Sequence, residues 1–287
     1  MSRNAADYDN PWKEVLTLYF PEFMAFFFPQ AYDDINWSRP PEFLDKELRQ
    51  IAREAEIGEK RVDQLVKVYR RSGDEVWVLV HVEVQGQVDT SFAERMYVYN
   101  YRLYDRHRRQ VASLAVLADE TLGWRPQSFG YALWGCQVGI TFPVVKLLDY
   151  RALWAGLEES TNPFAVVVMA HLKSLETRHD EMARYAAKLW LVRQLYRRGH
   201  SKQEVIDLFR FIDWIMQLPE DLDRSFWQEV HQFEEVQRMP YISSVERIAI
   251  QEGMQKGLQQ GLQQGLQQGL QQGLQQGLQQ GLQQGLQ

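Results

Sequence analysis

Valine alternates strictly with other residues along the stretch from Glu75 to Gln85. Valine occupies every second position, and the positions between the valines are filled by Trp77, Leu79, His81, Glu83 and Gln85. A period of two is typical of a β-strand, because successive side chains point to opposite faces of a sheet. The pattern predicts a strand with a buried valine face, whose other face carries a carboxylate and an amide about 7 Å apart at its end.

A second strand is predicted just upstream, from Arg61 to Tyr69. The connecting segment contains Ser72-Gly73-Asp74, residue types that favour turns, so the two strands are expected to form an antiparallel hairpin. With a loop of the three residues Ser72 to Asp74, Asp63 stands directly opposite Glu83 on one face of the sheet. A slip of one residue would instead turn Asp63 to the other face.

Helical spacing of apolar residues dominates the rest of the chain. Helices are predicted at Asp9–Phe28, packed on the sheet, at about Ser91–Arg106, and in the second half of the chain at Phe164–Leu175, His179–Arg198, Lys202–Met216 and Asp221–Glu235. Thr90 or Ser91 is expected to cap the second of these helices, with Glu94 completing a capping box.

Three further segments affect the sheet. Gln110–Ala118 is nearly continuously apolar and predicts a buried strand. Val138–Leu148 contains Pro143, which suits an edge strand or an irregular segment. Phe43–Ile57 fits either a helix at Asp45–Arg53 or an extended segment that adds a strand before the hairpin. The expected fold class is therefore α/β, with a mixed sheet flanked by helices and followed by a helical C-terminal region.

The C-terminus repeats the tetrad Gly-Leu-Gln-Gln from Gly257 onward. On a helix, a period of four residues rotates the leucine positions by about 40° per repeat, so they form no straight seam. Each glycine also costs a helix interior about 1 kcal/mol relative to alanine. The tail is either a low-complexity expansion without a selected function or a segment that oligomerises or binds a partner. The expected organisation is a first domain at 1–150, a helical region at 151–250 and a repeat tail at 251–287.

The composition bounds the class of protein. The chain has 287 residues, of which 45% are hydrophobic, enough to bury a sizeable core. Its single cysteine, Cys136, excludes an internal disulfide and fits a reducing compartment, so a cytoplasmic location is expected. The apolar stretch Phe20–Pro29 is too short and too interrupted for a signal peptide or a membrane span, so no membrane partner is expected. The sequence contains no zinc-type spacing of histidine with cysteine or acid, no phosphate-binding glycine loop and no serine nucleophile elbow.

The charge distribution bears on a nucleic-acid partner. A formal net charge of −6 is unfavourable for binding to nucleic acid, because affinity for phosphate comes largely from lysine and arginine. Basic residues are nevertheless clustered at Lys60-Arg61, Arg70-Arg71 and Arg106-His107-Arg108-Arg109. These clusters are either a solvated surface or contacts for phosphate. A carboxylate site that binds a divalent cation would also reverse its own charge.

The predicted hairpin brings Asp63 and Glu83 together as a candidate metal site. Carboxylate oxygens suit a hard cation such as Mg²⁺, and the Val84 carbonyl, which leaves the chain between Glu83 and Gln85, would assist them. Gln85 is the candidate for positioning an attacking water. The competing interpretation is that Asp63 is a solvated acid at the start of a strand and that Glu83 is an exposed strand residue.

These residues carry a resemblance to a known superfamily. An acid that begins one strand, followed across a hairpin by apolar-Glu-x-Gln and then by a helix with an early arginine, resembles the PD-(D/E)xK nucleases. Within them, the chain looks like the recombination-promoting nuclease (Rpn) family, whose members are also described as transposases. Asp63 and the triplet Glu83-Val84-Gln85 lie on the motif, and Arg95 and Tyr99 match in the following helix.

The resemblance covers the chain from about Asp9 to about Asp119, with Asp9 as a further acid from an N-terminal helix. Gln85 stands where most of the superfamily has lysine, and this chain resembles the branches that use glutamine. The resemblance implies a restriction-endonuclease-like fold and Mg²⁺-dependent hydrolysis of phosphodiester bonds in double-stranded DNA. It also implies a part in recombination or in the processing of incoming DNA.

A function from another class stays open. Residue spacing alone implies only a metal–carboxylate site. The alternative is a non-catalytic interaction or oligomerisation protein that binds its partner through the helical half and the repeat tail. The acidic net charge, the glutamine in place of lysine and the repeat favour this alternative.

Overall fold

Five of the strands in the described part of the chain form one mixed sheet. The computed structural model describes residues 11–54, 62–83 and 89–243, except for the side chains of 52–54, 62, 63 and 81–83. The strands are β1 (Glu42–Phe43), β2 (Val62–Tyr69), β3 (Glu75–Glu83), β4 (Val111–Leu117), β5 (Ser128–Leu133), β6 (Cys136–Thr141) and β7 (Val144–Lys146). The sheet has the order β1-β2-β3-β4-β7, while β5 and β6 form a separate hairpin.

The sheet is antiparallel on one side and parallel on the other. β1, β2 and β3 pair antiparallel, and β3, β4 and β7 pair parallel. The parallel pairing of β3 with β4 requires a crossover, which is supplied by a helix from Phe92 to His107. The predicted α/β class with a mixed sheet flanked by helices is confirmed. Of the two alternatives for Phe43–Ile57, the structure shows the helix, at Asp45–Glu54, and the strand β1 lies before it.

Ten α-helices lie within the described residues. They are α1 (Pro11–Leu18), α2 (Phe20–Phe27), α3 (Pro29–Asp34), α4 (Asp45–Glu54), α5 (Phe92–His107), α6 (Trp154–Glu159), α7 (Pro163–Glu176), α8 (Glu181–Arg197), α9 (Lys202–Ile215) and α10 (Glu220–Gln237), with a 3-10 helix at Leu147–Leu153. The four helices predicted in the second half of the chain correspond to α7–α10 and are confirmed. No described helix is both long and apolar enough to cross a membrane.

The N-terminal helical segment is divided into three helices rather than continuous. Proline occupies the first turn of α2 and of α3, as Pro21 and Pro29. Proline lacks an N–H and its ring clashes with the preceding turn, so it begins a helix well and interrupts one that is already formed. The chain therefore bends at Tyr19 and at Phe28, whose backbones are not helical.

Apolar residues are buried on both faces of the sheet. On one face, Leu65 and Leu79 pack with Tyr99 and Leu103 of α5, and residues of α4 complete this cluster. On the other face, Val78 and Val80 are also buried. α1 lies against β2 and α9, so the predicted packing of the N-terminal helix on the sheet is confirmed for its first part.

The described residues up to Phe226 belong to one compact unit, and those from Trp227 onward belong to a second. In the first unit, short-range signals set the ends of the later helices. Asn162 and Asp180 cap α7 and α8 through their side chains, and Ser201 with Glu204 forms a capping box on α9. In the second unit, the Glu234 carboxylate accepts hydrogen bonds from the backbone N–H groups of Ile242 and Ser243.

Candidate functional site

The carboxyl ends of the three parallel strands meet along one edge of the sheet. Glu83 at the end of β3 is paired with Leu117 at the end of β4, and Leu117 is paired with Lys146 at the end of β7. Strands that run in parallel end on the same side, where α/β proteins commonly place their ligands. We refer to this row, together with Ala118 and Asp119 after β4, as the carboxyl edge.

Only part of the predicted metal site lies in the described structure. Asp63 and Glu83 are described as backbone positions in β2 and β3, without their side chains. Asp9, Val84 and Gln85 lie outside the described residues. Among the described side chains, no group of three or more His, Cys, Asp or Glu is placed to hold a metal ion.

The pairing of the hairpin differs from the predicted register. Asp63 is paired with His81, so it does not stand directly opposite Glu83, which lies two residues further along β3. A shift of two residues leaves the side-chain position of Asp63 on the same face of the sheet as that of Glu83. A shift of one residue would have placed the two positions on opposite faces. Asp63 and Glu83 are therefore diagonal neighbours rather than direct partners.

The turn explains the shift in register. Gly73 has a φ of 98°, and the Arg70 N–H donates to the Asp74 carbonyl at 2.8 Å. The three-residue loop is therefore Arg71–Gly73 in place of Ser72–Asp74. Hairpin loops of this length place a left-handed residue at their third position, and glycine adopts that conformation without a side-chain clash.

The diagonal arrangement still fits a shared cation. Diagonal neighbours across an antiparallel pair are about 7–8 Å apart. Mg²⁺ binds carboxylate oxygens at about 2.0–2.1 Å, and a separation of this size is within the combined reach of an aspartate, a glutamate and the ion between them. The backbone spacing of Asp63 and Glu83 is therefore compatible with two acids that hold one Mg²⁺.

A buried ion pair occupies the other end of the carboxyl edge. Lys146 Nζ lies 2.5 Å from Asp119 Oδ1, and both side chains are fully buried. The second oxygen of Asp119 accepts from the Thr121 N–H at 2.8 Å, and Lys146 also lies 5.7 Å from the centre of the Trp124 ring. The pair ties the end of β4 to the end of β7, in the strand row that includes Glu83.

Sequence reasoning did not identify this pair as a feature of the site. Lys146 is the only charged residue in the apolar run Val144–Leu148, and Asp119 follows an apolar strand directly. Each of these positions indicates a charged residue that is buried with the apolar residues around it. Such a residue needs a partner of opposite charge, because charged side chains are rarely buried unpaired. The separation of the two residues along the chain hides their pairing.

The first turn of α5 is fixed by Arg95. Its Nη1 lies 2.6 Å from Asp89 Oδ2, and its side chain is almost completely buried. The other oxygen of Asp89 accepts from the N–H and the hydroxyl of Ser91. The predicted capping box with Glu94 is wrong, because the Ser91 hydroxyl binds Asp89 and makes no cap hydrogen bond to the helix. The pair Arg95–Asp89 anchors the chain where it enters α5.

His171 of α7 is buried behind the carboxyl edge. Its Nε2 lies 2.7 Å from the Ala118 carbonyl, so Nε2 carries the proton, and Nδ1 has no hydrogen-bond partner among the described residues. It lines a cavity of about 240 Å³ together with Ser174, Arg178 and Trp214. Burial lowers the pKa of His171 from 6.5 to about 4, which keeps the imidazole neutral.

Acidification is expected to destabilise the protein through His171. The unfolded histidine takes up a proton near pH 6.5 and the folded one near pH 4, so this contribution to stability is complete above pH 6.5 and is lost toward pH 4. A shift of this size corresponds to about 3 kcal/mol. Urea unfolding of the parent and of His171→Gln across this range tests it: the parent should lose more stability than the variant, and parallel curves would contradict it.

Two of the predicted basic clusters meet at the opposite end of the sheet. Arg70, Arg108 and Arg109 line a cleft of about 380 Å³ beside Glu75, at the start of β3. Glu75 and Glu83 are separated by the length of β3, about 26 Å. Arg70 is paired with Asp34 at 2.6 Å and Arg109 with Glu75 at 3.2 Å. These arginines are therefore largely neutralised and remote from the carboxyl edge, and Lys60-Arg61 lies outside the described residues.

Comparison of the chain with models of known protein families, with curated proteins and with solved structures finds no match. The resemblance to the PD-(D/E)xK nucleases therefore rests on the motif residues, on their spacing and on the strands that carry them.

Proposed function

We propose that this protein is a Mg²⁺-dependent endonuclease of double-stranded DNA with a restriction-endonuclease-like fold. One observation carries the proposal: an antiparallel hairpin with Asp63 in its first strand and Glu83 at the end of its second is followed by a crossover helix and a parallel strand. This is the arrangement that the resemblance implies for the carboxylates of a PD-(D/E)xK site. A part in recombination or in the processing of incoming DNA belongs to the same proposal.

The proposed roles follow from the chemistry of the residues. Asp63 and Glu83 hold Mg²⁺, with the Val84 carbonyl as a further oxygen ligand. A bound Mg²⁺ lowers the pKa of water and stabilises charge that develops on the scissile phosphate. Gln85 orients the attacking water through its amide. Because an amide is uncharged, Gln85 does not replace the electrostatic contribution of a lysine, and slow turnover is expected.

The start of α5 supports the same assignment. Arg95 matches the early arginine of the motif, and its buried pair with Asp89 fixes the chain six residues beyond Glu83. A catalytic carboxylate must be held in position by rigid neighbours, since small displacements reduce the rate strongly. Arg95 is therefore proposed as a positioning residue rather than as a ligand.

Gln85→Ala is expected to lower turnover with little loss of Mg²⁺ affinity, because the two carboxylates hold the ion and the amide positions the water. Calorimetric titration with Mg²⁺ and initial rates of plasmid cleavage separate the two effects. A variant that no longer binds Mg²⁺ would identify Gln85 as a ligand and overturn its proposed role.

Incubation of purified protein with supercoiled plasmid and Mg²⁺, against an EDTA control, tests the proposed function. The assay should be run at low ionic strength, because phosphate affinity falls with salt and the chain carries a net charge of −6. Mg²⁺-dependent nicking is the expected result. Plasmid that stays intact under all conditions would favour the non-catalytic interaction protein, which the helical half of the chain would also suit.

A further inference from the structure

The hairpin of β5 and β6 carries an exposed tryptophan at its tip. The strands are joined by the two-residue turn Trp134-Gly135, and both residues have positive φ, 49° and 85°. Turns of this kind favour asparagine before glycine, whereas a bulky side chain rarely adopts a left-handed conformation. Trp134 is 97% exposed, so no packing within the described residues explains its presence.

One face of this hairpin is apolar along its whole length. Its members alternate along both strands: Phe129, Tyr131 and Leu133 on β5, and Cys136, Val138 and Ile140 on β6. The half nearest the sheet is covered, since Ile140 packs against the cluster around Phe92 of α5. The half at the tip is open, with Tyr131 and Leu133 each 58% exposed.

The open half continues onto α5 through a series of aromatic rings. Tyr97 lies 5.3 Å from Phe129 and 6.3 Å from Tyr101, measured between ring centres. Tyr101 and Tyr104 are about half exposed. We call the surface formed by Tyr101, Tyr104, Tyr131, Leu133 and Trp134 the hairpin patch.

The hairpin also lacks the features that protect strand edges. Within the described residues, β5 and β6 pair only with each other, so each keeps an unpaired outer edge. The stretch from Pro126 to Val145 contains no charged residue. Natural edge strands are usually protected from pairing by lysine, inward-pointing charges, proline or bulges within the strand. An uncharged hairpin with free edges is instead suited to pairing with another strand.

We propose that the hairpin patch binds the same patch of a second copy of this chain and forms a two-fold symmetric dimer. A fully buried aromatic side chain contributes about 150–250 Å² of surface area. From the exposed fractions of its five residues, the hairpin patch can therefore bury roughly 600 Å² per copy. A standard interface buries about 800 Å² per partner, and pairing of the free edges supplies the remainder. The hairpin part of the patch carries no charge, so two copies meet there without repulsion even though each copy has a net charge of −6.

The absence of charge also distinguishes this partner from DNA. A nucleic-acid surface requires lysine or arginine for the phosphates, and the hairpin between Pro126 and Val145 has none. Symmetric association of identical patches is the commonest form of oligomer in soluble proteins. The proposed dimer is independent of the nuclease function, because it involves neither Asp63 nor Glu83.

Sedimentation velocity of the full chain over a range of micromolar concentrations tests the proposal. The parent should dimerise reversibly, and Trp134→Asn should weaken the dimer about tenfold or more, since exposed tryptophans dominate such interfaces. The substitution creates the favoured Asn-Gly turn, so the hairpin should stay folded, as thermal melting would show. Tyr101→Gln, on the helical side of the patch, should weaken the dimer independently.

Met182→Gln is the matched control, because Met182 is a similarly exposed apolar residue on α8, away from the hairpin. It should leave the dimer unchanged. A parent chain that stays monomeric at all concentrations would overturn the proposal. So would a dimer that persists in both Trp134→Asn and Tyr101→Gln, because association would then depend on another surface, such as the repeat tail.

Discussion

Lys146→Met is expected to destabilise the protein by about 3–5 kcal/mol, because it leaves the Asp119 carboxylate buried without a counter-ion. Both side chains of the pair are fully buried, and Lys146 Nζ lies 2.5 Å from Asp119. Methionine keeps the length and most of the volume of the lysine, so the effect reports the charge rather than a cavity. Urea unfolding followed by circular dichroism measures the change.

The double variant Asp119→Leu with Lys146→Met should recover most of the lost stability, because a buried ion pair replaced by apolar residues of similar volume is often neutral. Lys173→Met is the matched control, since Lys173 forms a partly exposed pair with Glu176 on α7. Such a pair contributes about 0–1 kcal/mol. A loss of under about 1 kcal/mol for Lys146→Met itself would contradict the structural role of the buried pair.

Asp63→Ala is expected to abolish the stabilisation that Mg²⁺ gives the folded protein. At about 100 times the dissociation constant, a ligand of the native state adds about 2.7 kcal/mol, which raises the melting temperature of a chain of this size by roughly 5–10 °C. Without metal, the variant should be as stable as the parent or slightly more stable, because two carboxylates at diagonal positions across a strand pair repel each other and the substitution removes one of them. Thermal melting with and without Mg²⁺ measures both effects.

Asp74→Ala provides the control for this prediction, because Asp74 is an acid that directly follows the loop of the same hairpin, at the end remote from Glu83. It should keep the full Mg²⁺-induced shift. If Asp63→Ala also keeps the Mg²⁺-induced shift in melting temperature, Asp63 is a solvated acid and the assignment of the metal site is wrong.

Much of the fold could be predicted because its signals are local. The valine alternation from Glu75 to Gln85 predicted β3, and the helical spacing of apolar residues predicted α7–α9. The structure adds the side chains that cap these helices, Asn162, Asp180 and Ser201. Strand β5 and its pairing with β6 escaped prediction, whereas part of β6 lies in the segment Val138–Leu148 that was predicted as an edge strand or an irregular segment. Most residues of this hairpin are exposed and its turn is Trp-Gly rather than Asn-Gly, so neither burial nor turn chemistry indicates the hairpin.

For the candidate site, the two strands that carry Asp63 and Glu83 could be predicted, but the register in which these strands pair could not. Turn composition located the hairpin, but the position of Gly73 in the left-handed conformation decided which residues face each other. Asp63 is therefore paired with His81, two residues from the predicted partner. The contacts of Lys146 with Asp119 and of His171 with Ala118 were not predictable, because they join distant segments that only the sheet and α7 bring together.

Initial rates of supercoiled plasmid cleavage by the parent, by Asp63→Ala and by Asp74→Ala, each with Mg²⁺ and with EDTA, test the nuclease site most directly. The parent and Asp74→Ala should cleave at similar rates with Mg²⁺ and not with EDTA. Asp63→Ala should be slower by more than about 100-fold, since mutation of a residue that only hydrogen-bonds to a metal ligand already lowers metal affinity or activity by up to about that factor. Equal cleavage by parent and Asp63→Ala, or no cleavage by the parent, would contradict a Mg²⁺ site at Asp63 and Glu83.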